Sequence, residues 1–502
     1  MFISNPILTV DFYKVGHKSM YPEGTTELVS NFTPRSNKLA PVSQGQSINE
    51  IVVLGTTSFV QELHETFERF FFDLPFVDIE EDYKNRCLNS LGVDLDIQHV
   101  KDLHTLGHLP IEIRALPEGS IVNPGIPVLL IRNTQPGFGW LVNYLETWLS
   151  AELWKPMTTA SIALAMRKLL QSYAKQTGAS EDFVKWQGHD FSMRGMSGVH
   201  DAARSGIGHL SSFYGTDTIP AIEYAETYYN GTVIAGSVPA TEHSVMCAGG
   251  EDDELFTFGR LITKVVPSGI VSIVSDTWDY WKVLSEYTVE LKDEILSRPT
   301  NAFGQSKVVF RPDSGDPVLI VCGDPDAPEG SLERKGSIEV LWDIFGGAVN
   351  AAGYKELDPH VGLIYGDSIT LDRAEKILQG LKEKGFASSN IVFGVGSFSY
   401  QYLTRDTFSF AMKSTSAVVQ GVRRDLQKNP KTGSGKTSAK GLLRVDGDNQ
   451  NGYTLVQGVD EANFTLTTGA MQVIYRIDAG VVLTDDFDKI RARIDGYVTR
   501  NI

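Results

Sequence analysis

The sequence predicts an α/β protein: an irregular α/β barrel with a second, discontinuous domain of mixed α+β structure. Three observations carry that expectation. Beyond about residue 180, short β-branched runs alternate with polar loops and helical segments, the signature of parallel strands joined by crossover helices. These runs end in Gly, Asp, Ser or Arg, and strand C-termini are where α/β barrels and open sheets place their sites. Strand-like pieces of a different texture flank this region, at 30–130 and 411–485.

Taken in order, "LPIEIRALPEGSIVNPGIPVLLIRN" (109–133) reads as short strands separated by Pro/Gly turns. Residues 139–152 and 161–177 read as helices, and Gly178 is a natural stop for the second. "VSIVSD" ends at Ser275 and Asp276, before a helical "WDYWKVLSEYT". "KVVFRPDSG" ends at Arg311 and Asp313, and "VGLIYGDS" at Gly366 and Asp367. The next helix places Leu371, Ala374, Ile377, Leu378 and Leu381 on one face, with Gly385 just past its end. "NIVFGVGS" ends at Gly396 and Ser397. In the tail, "SAVVQGV", "GYTLVQG" and "MQVIYRI" enclose a Lys/Gly/Ser loop, "QKNPKTGSGKTSAKG". The expected division is 1–29 plus 179–410 for the barrel, and 30–178 plus 411–502 for the second domain.

Composition narrows the function classes. The chain of 502 residues has 62 acidic against 45 basic residues, a formal charge of -17. That balance argues against general binding to nucleic acid or an anionic membrane. An anionic ligand would need a local basic cluster set against the global field. The three cysteines, Cys87, Cys247 and Cys322, are widely spaced, which fits a reducing compartment and excludes a Cys-built zinc site. The N-terminus has no basic stretch followed by a long apolar run, and no apolar run of 18 residues occurs, so a cytoplasmic protein is expected.

Each candidate motif has a bland reading beside the chemical one. "GSGKTS" (433–438) lacks the glycine that a phosphate-loop pattern needs at 430, which is Pro430, and no preceding strand is apparent. It reads as a flexible basic loop or a lysine-bearing phosphate clamp. "FGVGS" (393–397) is a tight turn or a backbone anion site. In "YGDS", Asp367 suits ribose hydroxyls, or Ser368 caps the next helix. In "FRPDSGDP", Arg311 suits a phosphate and Asp313 a sugar or metal ion, or the two form an internal salt bridge. "HDFSMRGMSG" offers Phe191 and Arg194, and "YGTDT" offers Asp217 in a turn. "SVPATEHSVM" leaves His243 open between a structural and a chemical role. Cations, glycine turns and carboxylates at successive strand ends together suggest a phosphorylated sugar as ligand.

The order of these motifs resembles the nicotinamide phosphoribosyltransferase family. The matching stretches are "DFYKVGHKSMYP", "GHLPIEIRALPEG", "HDFSMRG", "GTDT", "SVPATEHS", "VSIVSD", "RPDSGDP", "GD" at 366–367, "LTRD" at 403–406 and "KTSAKG". They are collinear over roughly residues 8–445. The resemblance implies a type II phosphoribosyltransferase barrel and a homodimer with active sites shared between subunits. The second domain would supply dimer contacts. It implies transfer of phosphoribose from phosphoribosyl pyrophosphate to nicotinamide, with Mg²⁺ on the pyrophosphate. ATP would be a co-substrate, hydrolysed through a phosphohistidine at His243.

By position, Phe191 and the partner subunit's Tyr13 would sandwich the pyridine ring, and Asp217 would accept from the carboxamide. Arg194, His243 and Arg311 would face the pyrophosphate. Asp313, Gly366 and Asp367 would hold the ribose; Gly396, Ser397 and Arg405 would hold the 5′-phosphate. Lys413, Lys428 and Lys436 match basic positions near the phosphates. The expected catalytic group is His243, Asp313 and Arg311, and Glu242 is a candidate to orient His243. Three positions depart from the family pattern: Ser397 stands for a glycine, Met193 for an aromatic residue and Ala411 for a serine. The rival readings are a nicotinate phosphoribosyltransferase, which Asp217 opposes, and a catalytically silent binding protein on the same scaffold.

Overall fold

The computed structural model describes residues 5–428, 438–465, 469–476, 478, 480–482 and 485–502. Six short strands lie side by side, all parallel. Their spatial order is Ile270–Val274, Lys307–Arg311, Val361–Tyr365, Ile391–Val395, Gly188–Asp190 and Gly215–Thr216. Parallel neighbours need long crossovers. Here they include the helices Val199–Leu210, between 188–190 and 215–216, and Leu371–Glu383, between 361–365 and 391–395.

Residues 236–241 join the two edges of this sheet. Gly236 bridges Gly215, and Ala240 bridges Ser272, both in parallel. The Thr216 amide donates to the Gly236 carbonyl at 3.1 Å, and the Thr241 amide to the Ser272 carbonyl at 3.0 Å. Pro239 has no N–H to offer, but its carbonyl accepts from the Ser272 amide at 2.9 Å. The stretch "SVPAT" is therefore an irregular stave that closes the sheet. This bears out the expected irregular barrel.

A second sheet of seven strands is antiparallel throughout. Its order is Val422–Asp425, Ala411–Val419, Thr25–Thr33, Leu129–Asn133, Ile111–Ala115, Gln472–Arg476 and Gly480–Val481. The strand Val422–Asp425 does precede the basic loop at 433–438. It is an exposed edge strand of sequence VRRD, which is why no apolar run announced it.

The two helices expected at 139–152 and 161–177 divide differently. Gly139–Tyr144 is one helix, and Glu146–Thr177 is a single helix of 32 residues that runs through Pro156. Packing outweighs the proline's cost here. A Cβ on Gly55 would lie 2.9 Å from the Pro156 ring, so the missing side chain makes room for it. Gly178 ends the helix in the left-handed conformation, as expected. In Leu371–Glu383 the anticipated apolar face is buried at all five positions, Leu371, Ala374, Ile377, Leu378 and Leu381. Its cap is the Thr370 hydroxyl, which accepts from the Arg373 amide at 3.3 Å. Ser368 does not cap it: it sits earlier in the loop at φ +51°. Among the described residues, no helix is long and apolar enough to cross a membrane.

His209, on Val199–Leu210, is fully buried against the barrel. Its Nε2 lies 3.0 Å from the Gly215 carbonyl, which can only accept, so Nε2 carries the proton. Nδ1 then accepts from the Tyr400 hydroxyl at 2.7 Å. Burial pushes the imidazole pKa down to about 4. The unfolded chain takes up this proton near pH 6.5 and the folded chain only near 4, so stability is lost as pH falls across that window. The loss expected from this group is roughly 3 kcal/mol. Urea unfolding at pH 7 and pH 4.5 should show it, and His209→Gln should flatten the slope by about one proton.

Candidate active site at the barrel rim

The C-terminal ends of the parallel strands share one rim, so residues distant in sequence meet there. Phe191 follows the strand Gly188–Asp190, and its amide donates to the Val395 carbonyl at 2.9 Å. Its ring lies against two glycine positions, Gly394 on one strand and Gly366 just past the end of the next. A Cβ on Gly394 would sit 2.4 Å from the Phe191 ring, and one on Gly366 3.1 Å from it. The Arg311 guanidinium carbon is 6.0 Å from the ring centroid.

Asp217 comes to the same place from the strand Gly215–Thr216. Its Oδ1 accepts from the Ser237 hydroxyl at 2.6 Å and lies 2.9 Å from His189 Nε2. Burial opposes ionisation of this carboxyl. The hydrogen bond and charge of His189, the Ser237 hydroxyl and the Arg311 charge outweigh that opposition and hold its pKa below the usual value. The rim therefore presents an aromatic platform beside a carboxylate that stays ionised at neutral pH.

A second cluster surrounds His243. Its side chain is half exposed, so it is not a core histidine. Nε2 lies 3.8 Å from both Asp276 Oδ1 and Asp313 Oδ2, and Nδ1 is 3.3 Å from the Thr277 hydroxyl. Glu242 does not orient it. The Glu242 carboxylate takes the Ser244 hydroxyl instead, because adjacent residues at the start of a helix point apart. The side chain that hydrogen-bonds His243 is Thr277, while Asp276 and Asp313 flank Nε2 beyond hydrogen-bond distance. The Asp276 side chain, at a strand end and given no role by the sequence, is almost fully buried, and its Oδ2 accepts from the Asp313 amide at 2.9 Å and the Ser314 hydroxyl at 2.6 Å. Among the described residues its Oδ1 has no hydrogen-bond partner. Arg311 anchors one Nη2 proton on the Thr241 carbonyl at 2.9 Å, which ties the rim to the closing stave. His189, in the middle of the strand Gly188–Asp190, carries no mark in the sequence, and Ser237 and Thr241 are legible there only as hydroxyls of the His243 stretch, without a role.

The remaining rim residues lie alongside. A Cβ on Gly366 would be 3.5 Å from Asp313 Oδ1, and Asp367 next to it is exposed. Gly396 and Ser397 open the short helix Ser397–Tyr400. A Cβ on Gly195 would meet the Ser397 hydroxyl at 2.6 Å, so the exposed Arg194 stands beside that turn. Met193 is exposed and Ala411 buried.

A separate group holds the other candidates. Tyr13 is 60% exposed, with the His17 ring centroid 5.2 Å away and Lys14 Nζ 5.2 Å from its own centroid. Lys413, on Ala411–Val419, has its pKa pushed down by burial, opposed by Glu146 and reinforced by the charges of Arg35, Lys428 and Arg405. Arg35, Arg405, Lys413 and Lys428 thus form a cationic patch. Among the described residues, no hydrogen bond, ion pair or ring contact links Tyr13, Arg405, Lys413 or Lys428 to the Phe191 cluster. Lys436 and most of its loop lie outside the described residues. The acidic residues Glu62 and Glu152 with His200 are close enough to share an ion, but the Arg204 guanidinium pairs with both carboxylates.

An aromatic platform and cations on one rim of a closed parallel sheet place the molecule among the ligand-binding α/β barrels. The sequence pattern of the nicotinate phosphoribosyltransferase (NAPRTase) family matches residues 186–464. A protein of Acinetobacter baylyi named nicotinamide phosphoribosyltransferase is 54% identical over 499 residues, covering 98% of this chain and 97% of that protein. One of the same name from Mycoplasma pneumoniae is 36% identical over 470 residues, covering 89% of this chain and 96% of that one. The crystal structure of human nicotinic acid phosphoribosyltransferase shares the fold, with a TM-score of 0.56, 15% identity and coverage of 98% and 93%. The chain belongs to the nicotinate phosphoribosyltransferase family.

The glycine at 394 is a steric requirement. Gly394→Ala should push the Phe191 ring out of place, because the added carbon would also sit 2.7 Å from the Gly366 backbone. The expected result is at least a tenfold loss of affinity for the ring-bearing ligand, with the thermal midpoint lowered by only a few degrees. Calorimetric titration and a thermal melt on one preparation check both.

Proposed function

We propose that the chain transfers the phosphoribosyl group of 5-phosphoribosyl 1-pyrophosphate to nicotinamide, giving nicotinamide mononucleotide and pyrophosphate for the salvage of NAD. The observation that carries this reading is the ionised Asp217 beside the Phe191 platform. A flat neutral ring stacks on Phe191, and its carboxamide N–H donates to Asp217. A nicotinate carboxylate at the same place would meet a like charge. Near-full-length likeness to proteins named for nicotinamide supports the same base.

The chemistry follows from the rim. The pyridine nitrogen lone pair attacks C1′ as the bond from C1′ to the pyrophosphate oxygen breaks and its electron pair leaves with pyrophosphate. The nitrogen carries no proton, so no general base is needed. In this reading Arg311 and Arg194 hold the leaving charge, and preorganised cations of this kind stabilise it as it develops. Asp313 and Asp367 take the ribose hydroxyls, and the backbone N–H groups at Gly396 and Ser397 the 5′-phosphate. Asp276 and Asp313 offer hard oxygen donors, one with a buried unpartnered oxygen, and these fit Mg²⁺. Bound there, Mg²⁺ would offset negative charge on the pyrophosphate.

Three further parts belong to the proposal. ATP is a co-substrate, and His243 takes its γ-phosphoryl group: Nε2 stands exposed between Asp276 and Asp313, next to the cations. Two chains complete each site, since Tyr13 and the cationic patch have no counterpart in their own chain's Phe191 cluster. The enzyme works in the cytoplasm, which suits its free thiols, Cys87, Cys247 and Cys322.

Product analysis tests the base. Protein, sugar donor and Mg²⁺ are mixed with nicotinamide or nicotinate, with and without ATP; nicotinamide mononucleotide is the expected product, and nicotinate mononucleotide alone overturns the reading. Two like charges about 4 Å apart at an effective dielectric near 20 repel by roughly 4 kcal/mol, close to a thousandfold. A lost hydrogen bond is worth only about 1–3 kcal/mol. Asp217→Ser should therefore lower kcat/KM for nicotinamide and raise it for nicotinate in absolute terms.

Subunit mixing tests the histidine and the shared site together. His243→Ala should keep weak ATP-independent transfer but lose ATP hydrolysis and the acid-labile label from γ-labelled ATP. Tyr13→Ala should be nearly inactive. Mixed, they should regain ATP-stimulated activity through hybrid dimers with one complete site. No rescue despite confirmed subunit exchange counts against a shared site, and full ATP stimulation of His243→Ala counts against the phosphohistidine.

A further inference from the structure

Asp217 could meet a substrate with either oxygen, and the structure makes the choice. Both donors from the protein land on Oδ1: the Ser237 hydroxyl at 2.6 Å and His189 Nε2 at 2.9 Å. Among the described residues no donor is placed on Oδ2. His189 cannot easily turn away. Its side chain is 12% exposed, and its Nδ1 edge rests on Gly215, where a Cβ would sit only 2.6 Å away. Its other neighbour is the Phe191 ring, with centroids 5.0 Å apart and planes tilted by 57°. One imidazole thus touches both the platform and the carboxylate of the base site. Facing an ionised carboxylate, Nε2 is the protonated nitrogen.

We propose that His189 is a specificity-determining positioning residue: with Ser237 it pins Oδ1 of Asp217, so that Oδ2 alone is presented to the carboxamide and the aspartate keeps the charge that rejects a carboxylate. This rests on the base-site reading above. His189 touches no substrate atom in this account. It acts through Asp217, so its effect must disappear when Asp217 is absent. A merely structural histidine would not behave so.

The test is steady-state kinetics on the full chain with sugar donor, Mg²⁺ and each base. His189→Leu should raise the nicotinamide KM about tenfold, the size of one hydrogen bond to a charged group. The KM for the sugar donor should not move. His189→Gln, which can still donate an N–H to Oδ1, should recover most of the loss. In the Asp217→Ser background, His189→Leu should change kcat/KM for nicotinamide by less than about twofold, a coupling that a double-mutant cycle isolates. Equal losses in both backgrounds, a parallel rise in the donor's KM, or no recovery by glutamine overturns the inference. Should the leucine variant not fold, Ser237→Ala removes the other donor from the same oxygen, and its effect must vanish in the same background. Wild-type protein that makes no nicotinamide mononucleotide overturns the functional reading and this inference with it. Wild-type turnover with additive variants overturns this inference alone.

Discussion

Phe191 can lie across the barrel mouth only because two adjacent strands carry no side chain beneath it. Gly366 follows the strand Val361–Tyr365, and Gly394 lies within Ile391–Val395; a methyl at either would press into the ring. The rest of the rim is arranged around that platform. Parallel pairing sets Gly394 opposite His189 and Val395 opposite Asp190, which delivers Phe191 to the right height. The next strand, Gly215–Thr216, then brings Asp217 alongside, and the far side of the barrel brings Arg311 over the ring. The closing stave at 236–241 adds Ser237 to Asp217 and the Thr241 carbonyl to Arg311. Barrel closure and site assembly are therefore one event. An open sheet would leave both residues without their second partner.

A net charge of -17 disfavours any anionic ligand at long range. Cations are nevertheless gathered at two places: Arg194 and Arg311 among the carboxylates of the rim, and Arg35, Arg405, Lys413 and Lys428 in the separate patch. Two carboxylates are kept in place among these groups for different purposes. Asp217 is held ionised by His189, Ser237 and Arg311 despite its burial. Asp276 is nearly buried and braces the Asp313 loop through an amide and a hydroxyl. That loop is also tied by the single proton of the Tyr365 hydroxyl, shared between the Ser314 and Gly315 carbonyls, each at 2.9 Å.

Much of this was legible because strand ends and amphipathic faces leave local marks. The helix Leu371–Glu383 buries the five residues its period named, and the strands at 270, 307, 361 and 391 fall where β-branched runs stop at polar residues. The resemblance to a known family assigned roles that spacing alone left open. What escaped was non-local. Residues 236–241 carry a proline and bridge at only two points, so no strand pattern marks them as the closing stave. Pro156 reads as a break until Gly55 is seen to accommodate it. Glu242 sits beside His243 in sequence yet turns away, while Asp276, more than thirty positions off, stands next to it. Only strand order could have said so.

The two half-sites are incomplete in complementary ways, and this is the strongest physical support for the shared-site proposal. The Phe191 cluster offers one aromatic ring with the Asp217 carboxylate and the Arg311 guanidinium nearby, but no second ring on which a flat base could be sandwiched among the described residues. The other group offers an exposed Tyr13 and several neighbouring cations; burial first, and then the charges of Arg35, Lys428 and Arg405, lower the pKa of Lys413 against the opposing charge of Glu146. A cluster of like charges is a poor arrangement for stability alone, since each cation gains more from an anion than from its neighbours. Lys14 shows the contrast: buried beside Tyr13, it is satisfied by Glu146 at 2.5 Å and holds the tyrosine's base in place. The tyrosine ring itself is left facing outward. An exposed tyrosine ring with a group of cations, and the Phe191 ring with its carboxylate, are separate features of the same chain. In the proposed shared site, a two-fold association would set each group against the other chain's complement.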